Sequence, residues 1–317
     1  MKKILITGGN GFIGVNLINF LLKKKFYISN IDKISKVSNP HRYIKSNSNY
    51  KFYKLNLQKD KKLNKILLSN YDFIIHLAAE SHVDRSIFTP IEFFKENVNS
   101  TLILYKSIKN LLKKKKIKNP KIIHISTDEI YGSVKNGSFK ENSRTFTSSP
   151  YSASKAASEN IAQAFLTTFN LKICILRISN NYGPFQNKEK LIPKSIFNLL
   201  NKKKVELYSK GENIREWIYV EDTCFAIYEV IKKFKSGEIF NIGSSIKKKN
   251  LDVIKTIINL LGLNFNKNLI FFSKDRLGHD YRYSLNSKLF SKKYNWKPKT
   301  NFKNGLKKTI KWYIEKH

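Results

Sequence analysis

Along the first 180 residues, short apolar runs alternate with longer stretches in which apolar residues recur every three or four positions. The runs are Lys3–Thr7, Tyr27–Ile31, Tyr50–Lys54, Phe73–Leu77, Lys121–Ser126 and Lys172–Arg177. Each has the length and continuity of a strand buried on both faces. Helices are expected between them, over residues 12–24, 60–69, 90–112 and 149–169, where the spacing places apolar side chains on one face. Lys33–Asn49 reads as a polar, basic loop. Strand and helix alternate in units of about 30 residues, which predicts an α/β fold with a doubly wound parallel sheet.

From Asn180 the pattern loosens. Asn180–Pro184 is a turn cluster. Helices are expected over Leu191–Asn201, Asp222–Lys233 and Leu251–Leu261, and short strands over Val205–Tyr208, Glu216–Tyr219, Ile239–Ile242 and Leu269–Phe272. Two further helices close the chain. The division expected is a first domain over residues 1–180, with segments around 216–246 returning to it, and a smaller mixed α/β domain over 181–317.

The chemistry gathers where strands end. After the first strand, Gly8, Gly9, Gly11 and Gly14 fit both G-x-G-x-x-G and G-x-x-G-x-x-G. Glycines there allow a tight turn and let backbone N–H groups approach a pyrophosphate at a helix start. Asp32 closes the second strand, 18 positions after Gly14. A carboxylate there accepts from ribose hydroxyls and repels a 2′-phosphate, which favours NAD over NADP. Lys33 and Lys36 point mildly the other way, and Asp32 also reads as a turn residue. Ala78 and Ala79 follow the fourth strand and leave room for a cofactor. His82 either binds a ligand or caps the next turn.

The organising stretch is Ile122–Gly132, where an apolar strand breaks into Ser126, Thr127, Asp128 and Glu129. Ligands of open α/β sheets lie beyond the carboxyl ends of the strands. This strand therefore delivers a hydroxyl and two carboxyls to such a place. Tyr151 and Lys155, four positions apart on an expected helix, share one face. An ammonium beside a phenol favours the phenolate. In the second half, Lys190, Arg215, Arg276, His279 and Arg282 supply loop cations suited to a phosphate-bearing ligand.

Bulk composition adds limits. The longest apolar runs fall short of a membrane span, and the apolar run at the N-terminus is too short for a signal-peptide core. Cytoplasm is the expected location. Cys174 and Cys224 form neither a disulfide framework nor a metal pattern, and no metal is expected. The net charge of +37 raises nucleic-acid or membrane-surface binding. Its lysines are spread along the chain in short runs such as Lys23–Lys25, Lys113–Lys116 and Lys247–Lys249, rather than clustered with arginine and aromatics. Neither nucleic acid nor membrane is therefore expected as a partner.

The segments TGGNGFIG, LAAESHVDRSI, STDEIYG, YSASKAASE, RISNNYGPFQNKEKLIP, REWIYVEDT, NIGSSIKKKNLDV and DRLGHDYRY resemble the extended short-chain dehydrogenase/reductase family. Within it they resemble the dTDP-glucose 4,6-dehydratases, nearly end to end. The resemblance implies a Rossmann domain that holds NAD, a C-terminal domain for a sugar nucleotide, and a homodimer formed through a helix bundle. It implies that Tyr151, assisted by Lys155 and Thr127, takes the proton of the sugar 4-hydroxyl as hydride leaves C4. Glu129 then removes the C5 proton, Asp128 protonates the departing C6 hydroxyl, and hydride returns to C6.

Carried over residue by residue, the resemblance assigns Gly8, Gly11, Phe12, Ile13, Gly14, Asp32, Leu77, Ala78, Ala79, Tyr151, Lys155 and Asn180 to the cofactor. It assigns Ser81, Thr127, Asn181, Lys190, Leu191, Tyr208, Arg215, Asn250, Arg276 and His279 to the substrate. The chain departs from the family at Asn56, where an aspartate is usual, and at Glu206, which replaces a proline beside the expected nucleobase pocket. It is also shorter than many members. UDP-sugar 4-epimerases and UDP-glucuronate decarboxylases typically lack the Asp–Glu pair, whereas UDP- and CDP-glucose 4,6-dehydratases stay open. A catalytically inert, basic nucleic-acid binder on the same scaffold is argued against by the retention of Thr127, Asp128, Glu129, Tyr151 and Lys155.

Overall fold

The computed structural model describes residues 1–40, 43–44 and 47–316. The remainder of the expected 33–49 loop lies outside the described residues. The strands in chain order are β1 (Lys3–Thr7), β2 (Tyr27–Asp32), β3 (Tyr50–Lys54), β4 (Phe73–His76), β5 (Lys121–Thr127), β6 (Lys172–Ile178), β7 (Asn180–Tyr182), β8 (Val205–Tyr208), β9 (Ile214–Tyr219), β10 (Ile239–Ile242), β11 (Lys247–Lys249) and β12 (Ile270–Ser273). The helices are α1 (Phe12–Lys23), α2 (Asp60–Leu67), α3 (Val83–Phe88), α4 (Pro90–Phe94), α5 (Ser100–Lys113), α6 (Pro150–Phe169), α7 (Leu191–Leu200), α8 (Val220–Lys232), α9 (Asn250–Leu260), α10 (Lys288–Tyr294) and α11 (Phe302–Lys316).

Seven strands form one sheet in the order β10-β6-β5-β4-β1-β2-β3, and every pair in it is parallel. This is a doubly wound Rossmann sheet, extended at one edge by β10. Alternate residues of each strand enter opposite cores. Ile4, Ile6, Ile123 and Ile125 pack with α1, α8 and α10. Leu5, Ile74, Ile122 and Ile173 pack with α2, α5 and α6. That two-sided burial is why these strands read as continuous apolar runs.

The rest of the chain builds a mixed α/β lobe. A third core joins α7, α9 and α11 to β8 and β9, with a three-stranded sheet β11-β9-β7 and a two-stranded sheet β12-β8. Several elements differ from the sequence pattern. Asn180–Tyr182, expected as a turn, is a strand because it pairs in parallel with Trp217–Tyr219. Lys247–Lys249 pairs antiparallel with Ile214–Glu216, so one lysine run is a strand held by its backbone. The expected helix over 90–112 is broken by a π-helical turn at Lys95–Asn99. Within that turn Asn97 accepts from Glu80 N at 2.7 Å and donates to Ser154 Oγ at 2.8 Å, which accounts for the insertion. His82 caps α3, its Nδ1 accepting from Arg85 N at 3.3 Å.

One buried ion pair aligns the elements that carry chemistry. Arg177 on β6 donates from Nε to Glu159 on α6 at 3.0 Å, and from Nη1 to the Glu141 carbonyl at 2.8 Å. It also reaches the hydroxyl of Tyr131, in the turn that follows Asp128 and Glu129. Removing one partner of such a pair strands a buried charge, which costs about 3–5 kcal/mol. Glu159→Leu is therefore expected to lower the unfolding free energy by about that amount in chemical denaturation; an unchanged transition midpoint would contradict this.

Candidate active site

The glycine loop is shaped by close approach. Gly8 has φ +74°, and a Cβ there would lie 2.7 Å from the Ala78 backbone. At Gly14 a Cβ would meet the Gly8 carbonyl at 2.5 Å, so the helix can sit against the strand only if both are glycine. Helix α1 starts after Gly11 with no side-chain cap. Its first N–H groups are left open to an anion.

Asp32 holds the loop and borders the cleft. Its carboxylate accepts from Asn10 N at 2.9 Å and from Ile34 N at 2.8 Å, which fixes the loop, and it lines a cleft with Gly8, Gly11, Leu77, Ala78, Ala79 and Asn56. Lys33 is not free to meet a phosphate there. It pairs with Glu80 at 3.1 Å and Glu96 at 3.0 Å. Burial works against its charge, but those two carboxylates outweigh burial and hold its pKa above the usual lysine range. The result is a wall of acidic groups hostile to an additional phosphate.

The cleft continues over the carboxyl ends of β1, β4, β5 and β6. Gly8, Gly11, Phe12, Ile13, Gly14, Leu77, Ala79, Ser81, Thr127, Asp128, Glu129, Tyr151, Lys155, Asn180, Asn181 and Lys190 all line this part. Glu129, Asn180 and Lys190 are shared with a third part, whose lining includes Leu191, Tyr208, Arg215, Asn250, Arg276 and His279. Every residue that the resemblance assigned to catalysis, cofactor or substrate thus lines one continuous groove. Asn181 is the least available, because its Oδ1 accepts from Thr223 at 2.6 Å and its Nδ2 donates to the Ser179 carbonyl at 2.9 Å. Arg282, among the loop cations, instead donates to the carbonyls of Val134, Lys135 and Gly137.

Tyr151 is held in the first turn of α6. Ser149 and Ser152 form a reciprocal capping box with Pro150 between them. Tyr151 N donates to Ser86 Oγ at 3.1 Å, and the ring packs on Val83 and Phe93. Burial raises its pKa, as do Glu129 and Asp128, while a hydrogen bond with Thr127 opposes them. Lys155 was expected to lower that phenol. It instead donates to the Ile125 carbonyl at 2.7 Å, and burial lowers its own pKa to about 8 against the opposing charge of Glu159.

The carboxyl pair is asymmetric. Asp128 is buried; its Oδ1 accepts from Thr127 Oγ1 at 3.2 Å, and its Oδ2 has no partner. Burial raises its pKa well above the usual range, reinforced by Glu129 and Glu216. Glu129 opens partly to the cleft. Burial raises it too, but Lys190, Arg276 and Arg215 all pull it back. The protonated form is therefore favoured more strongly at Asp128 than at Glu129.

The cations beyond Glu129 are ordered by the second lobe. Arg215 stacks 4.2 Å above Tyr283 and donates to the Asp280 carbonyl at 3.0 Å. Lys190 donates to the Ser81 carbonyl at 2.6 Å. His279 bonds Asp275 at 2.6 Å, and burial and Arg215 lower its pKa to about 4, so it is neutral near pH 7. Sequence reasoning gave no role to Ser126, Ser179, Gln186, Asp84 and Tyr283, which also line the groove. All five stand inside quoted motifs, but nothing local marks them as site residues. Among the described residues no cluster of His, Cys, Asp and Glu suits a metal, and no helix is long and apolar enough to cross a membrane.

Residues 5–309 match the family described as GDP-mannose 4,6 dehydratase. The chain belongs to the GDP-mannose 4,6 dehydratase family. Among curated members, it is 40% identical to the dTDP-glucose 4,6-dehydratase of Haemophilus influenzae, covering 99% of this chain and 98% of that one. It is 39% identical to the probable dTDP-glucose 4,6-dehydratase of Sinorhizobium fredii, covering 99% and 93%. Among solved structures it superimposes on the dTDP-glucose 4,6-dehydratase of Streptomyces venezuelae, solved with NAD, at a TM-score of 0.93 and 34% identity over 99% and 97% of the chains. A UDP-glucose 4-epimerase of Thermotoga maritima also superimposes, at a TM-score of 0.90 but 25% identity, over 99% of each chain. The family fold thus extends beyond dehydratases, and the chemistry must be read from the groove.

Proposed function

We propose that this protein is an NAD-dependent lyase that converts dTDP-glucose to dTDP-4-keto-6-deoxyglucose. The observation that carries the reading is the unequal pair Asp128 and Glu129 beside Tyr151. An epimerase needs neither an acid for a C6 hydroxyl nor a base for C5–H. The full-length similarity to enzymes named dTDP-glucose 4,6-dehydratase supports the same reading. A UDP- or CDP-glucose 4,6-dehydratase is the nearest alternative.

The groove fits NAD. Its glycine cradle would be filled by any Cβ, the α1 N-terminus is uncapped, and Ser126 Oγ, Ser179 Oγ, Asn180 Oδ1 and Gln186 Oε1 are buried there without partners. Gly8, Gly11–Gly14, Asp32, Leu77–Ala79, Tyr151, Lys155 and Asn180 would hold the cofactor. Bound NAD supplies a hydride acceptor for C4 and, once reduced, a donor for C6.

The chain's own groups do the proton chemistry. Tyr151 accepts the 4-hydroxyl proton, and Thr127 favours its phenolate. A protonated Asp128 places no charge against that phenolate, so the acid that serves the later step also eases the first. With C4 a ketone, the C5 hydrogen is acidified and Glu129 removes it, its ionised form favoured by Lys190, Arg276 and Arg215. Asp128 then delivers its proton to the C6 hydroxyl, which leaves as water, and the proton held by Glu129 returns to C5 as hydride reaches C6, leaving Glu129 ionised again. Lys190, Arg215, Arg276 and neutral His279 receive the diphosphate, and Tyr208 and Leu191 flank the base.

The division of labour inferred is cofactor on residues 1–180 with the returning strands, and sugar nucleotide on 181–317. A homodimer is inferred as well. Phe88 and Ile91 are 83% and 68% exposed, and with Phe94, Leu102 and Phe169 they leave apolar surface on α3–α6 that a second copy would cover. Cytoplasm suits an enzyme with two buried, unpaired cysteines.

Purified protein given NAD and dTDP-glucose is expected to form the 4-keto-6-deoxy product without added reductant; no turnover with dTDP-, UDP- or CDP-glucose would refute the reading. Glu129→Gln is expected to halt after the first oxidation, with absorbance of reduced nicotinamide building to about one equivalent per site while kcat falls at least about 100-fold. Retention of full turnover would remove Glu129 from the role of base.

A further inference from the structure

The short helix α3 touches both halves of the groove. At one side Ser86 Oγ accepts from Tyr151 N at 3.1 Å and donates to the Val83 carbonyl at 2.6 Å, and Val83 packs against the Tyr151 ring. Two positions from Ser86, Asp84 faces the other lobe. Its Oδ2 accepts from Tyr208 Oη at 3.1 Å and its Oδ1 from Arg276 Nη1 at 3.3 Å. All three side chains line the groove beside Lys190, Arg215 and His279.

A carboxylate among cations that await a diphosphate is unfavourable for binding unless it organises them. The geometry supplies that purpose. A guanidinium offers its N–H groups as a rigid planar fork. Asp84 occupies the Nη1 corner, and Arg276 Nε is buried with no partner. The Nη1 corner is thus held by Asp84, while the side chain lines the groove where the phosphates would lie. The second oxygen of Asp84 fixes the phenol of Tyr208 on β8, whose neighbour Leu207 is buried and whose alternate residues face the groove.

We propose that Asp84 is the positioning residue that orients Arg276 toward the nucleotide diphosphate and Tyr208 toward the base, with α3 as the strut linking that grip to the catalytic phenol. This rests on the sugar-nucleotide reading of the groove. Asp84 acts through its two partners and touches no reacting atom, so its loss weakens binding and spares the chemical steps.

The test uses the full-length enzyme with NAD. Asp84→Asn preserves shape and removes the charge. Calorimetric titration with thymidine diphosphate is expected to show Kd raised about tenfold, with KM for dTDP-glucose raised alike and kcat within about twofold, as for one lost charge-assisted contact. In an Arg276→Ala, Tyr208→Phe background, Asp84→Asn is expected to change Kd less than about twofold, because its partners are gone. A folded Asp84→Asn enzyme with unchanged Kd and KM, a kcat loss at constant KM, or a full effect persisting in that background would each overturn the role of Asp84. Wild-type protein that neither binds thymidine diphosphate nor turns over any nucleotide-glucose would instead refute the underlying reading, and the proposal with it.

Discussion

Desolvation at the carboxyl edge of the parallel sheet is the constraint on which the site depends. Burial is the largest influence on Asp128, Glu129, Tyr151 and Lys155 alike, raising the acids and lowering the ammonium. What separates the groups is the charge each sees next. Glu129 looks across the groove at Lys190, Arg276 and Arg215, whereas Asp128 is pressed by Glu129 and Glu216. Two adjoining carboxyls on one turn thereby acquire different protonation tendencies, and an acid and a base can work side by side at neutral pH.

That separation requires both lobes. The sheet delivers the carboxyls and the phenol, and the second lobe delivers the cations. Sites assembled this way depend on rigid alignment, and the contacts between elements provide it. The Arg177–Glu159 pair ties α6 to β6 and to the turn after Glu129, the π-helical turn at Asn97 ties the Ala78–Glu80 wall to α6, and α3 bridges Tyr151 to Arg276. Lys33 is likewise committed to Glu80 and Glu96, which leaves the Asp32 end of the groove acidic.

Much of this was legible in the sequence, for identifiable reasons. Strands buried on both faces must be apolar throughout, so the six runs of the first half announced themselves, and β10 did so as Ile239–Ile242. Gly8 and Gly14 are forced by close approach, and their spacing survives as a motif. What escaped detection is set by partners distant in the chain. Asn180–Tyr182 and Lys247–Lys249 carry turn or surface residues and become strands only because β9 lies beside them. The six-residue α3 is too short for periodicity to show. Lys155 was expected to act on Tyr151 through charge, but the strand carbonyl of Ile125 holds it. The inequality of Asp128 and Glu129 is invisible in sequence, since it arises from residues up to 147 positions away, as with Arg276.

The central claim is that the groove oxidises, dehydrates and reduces one sugar without releasing the hydride. The most direct measurement is the fate of deuterium placed at C4 of dTDP-glucose and followed through a single turnover in ordinary water. The account predicts the label on C6 of the product. Label that remains at C4, or is lost to solvent, would contradict it.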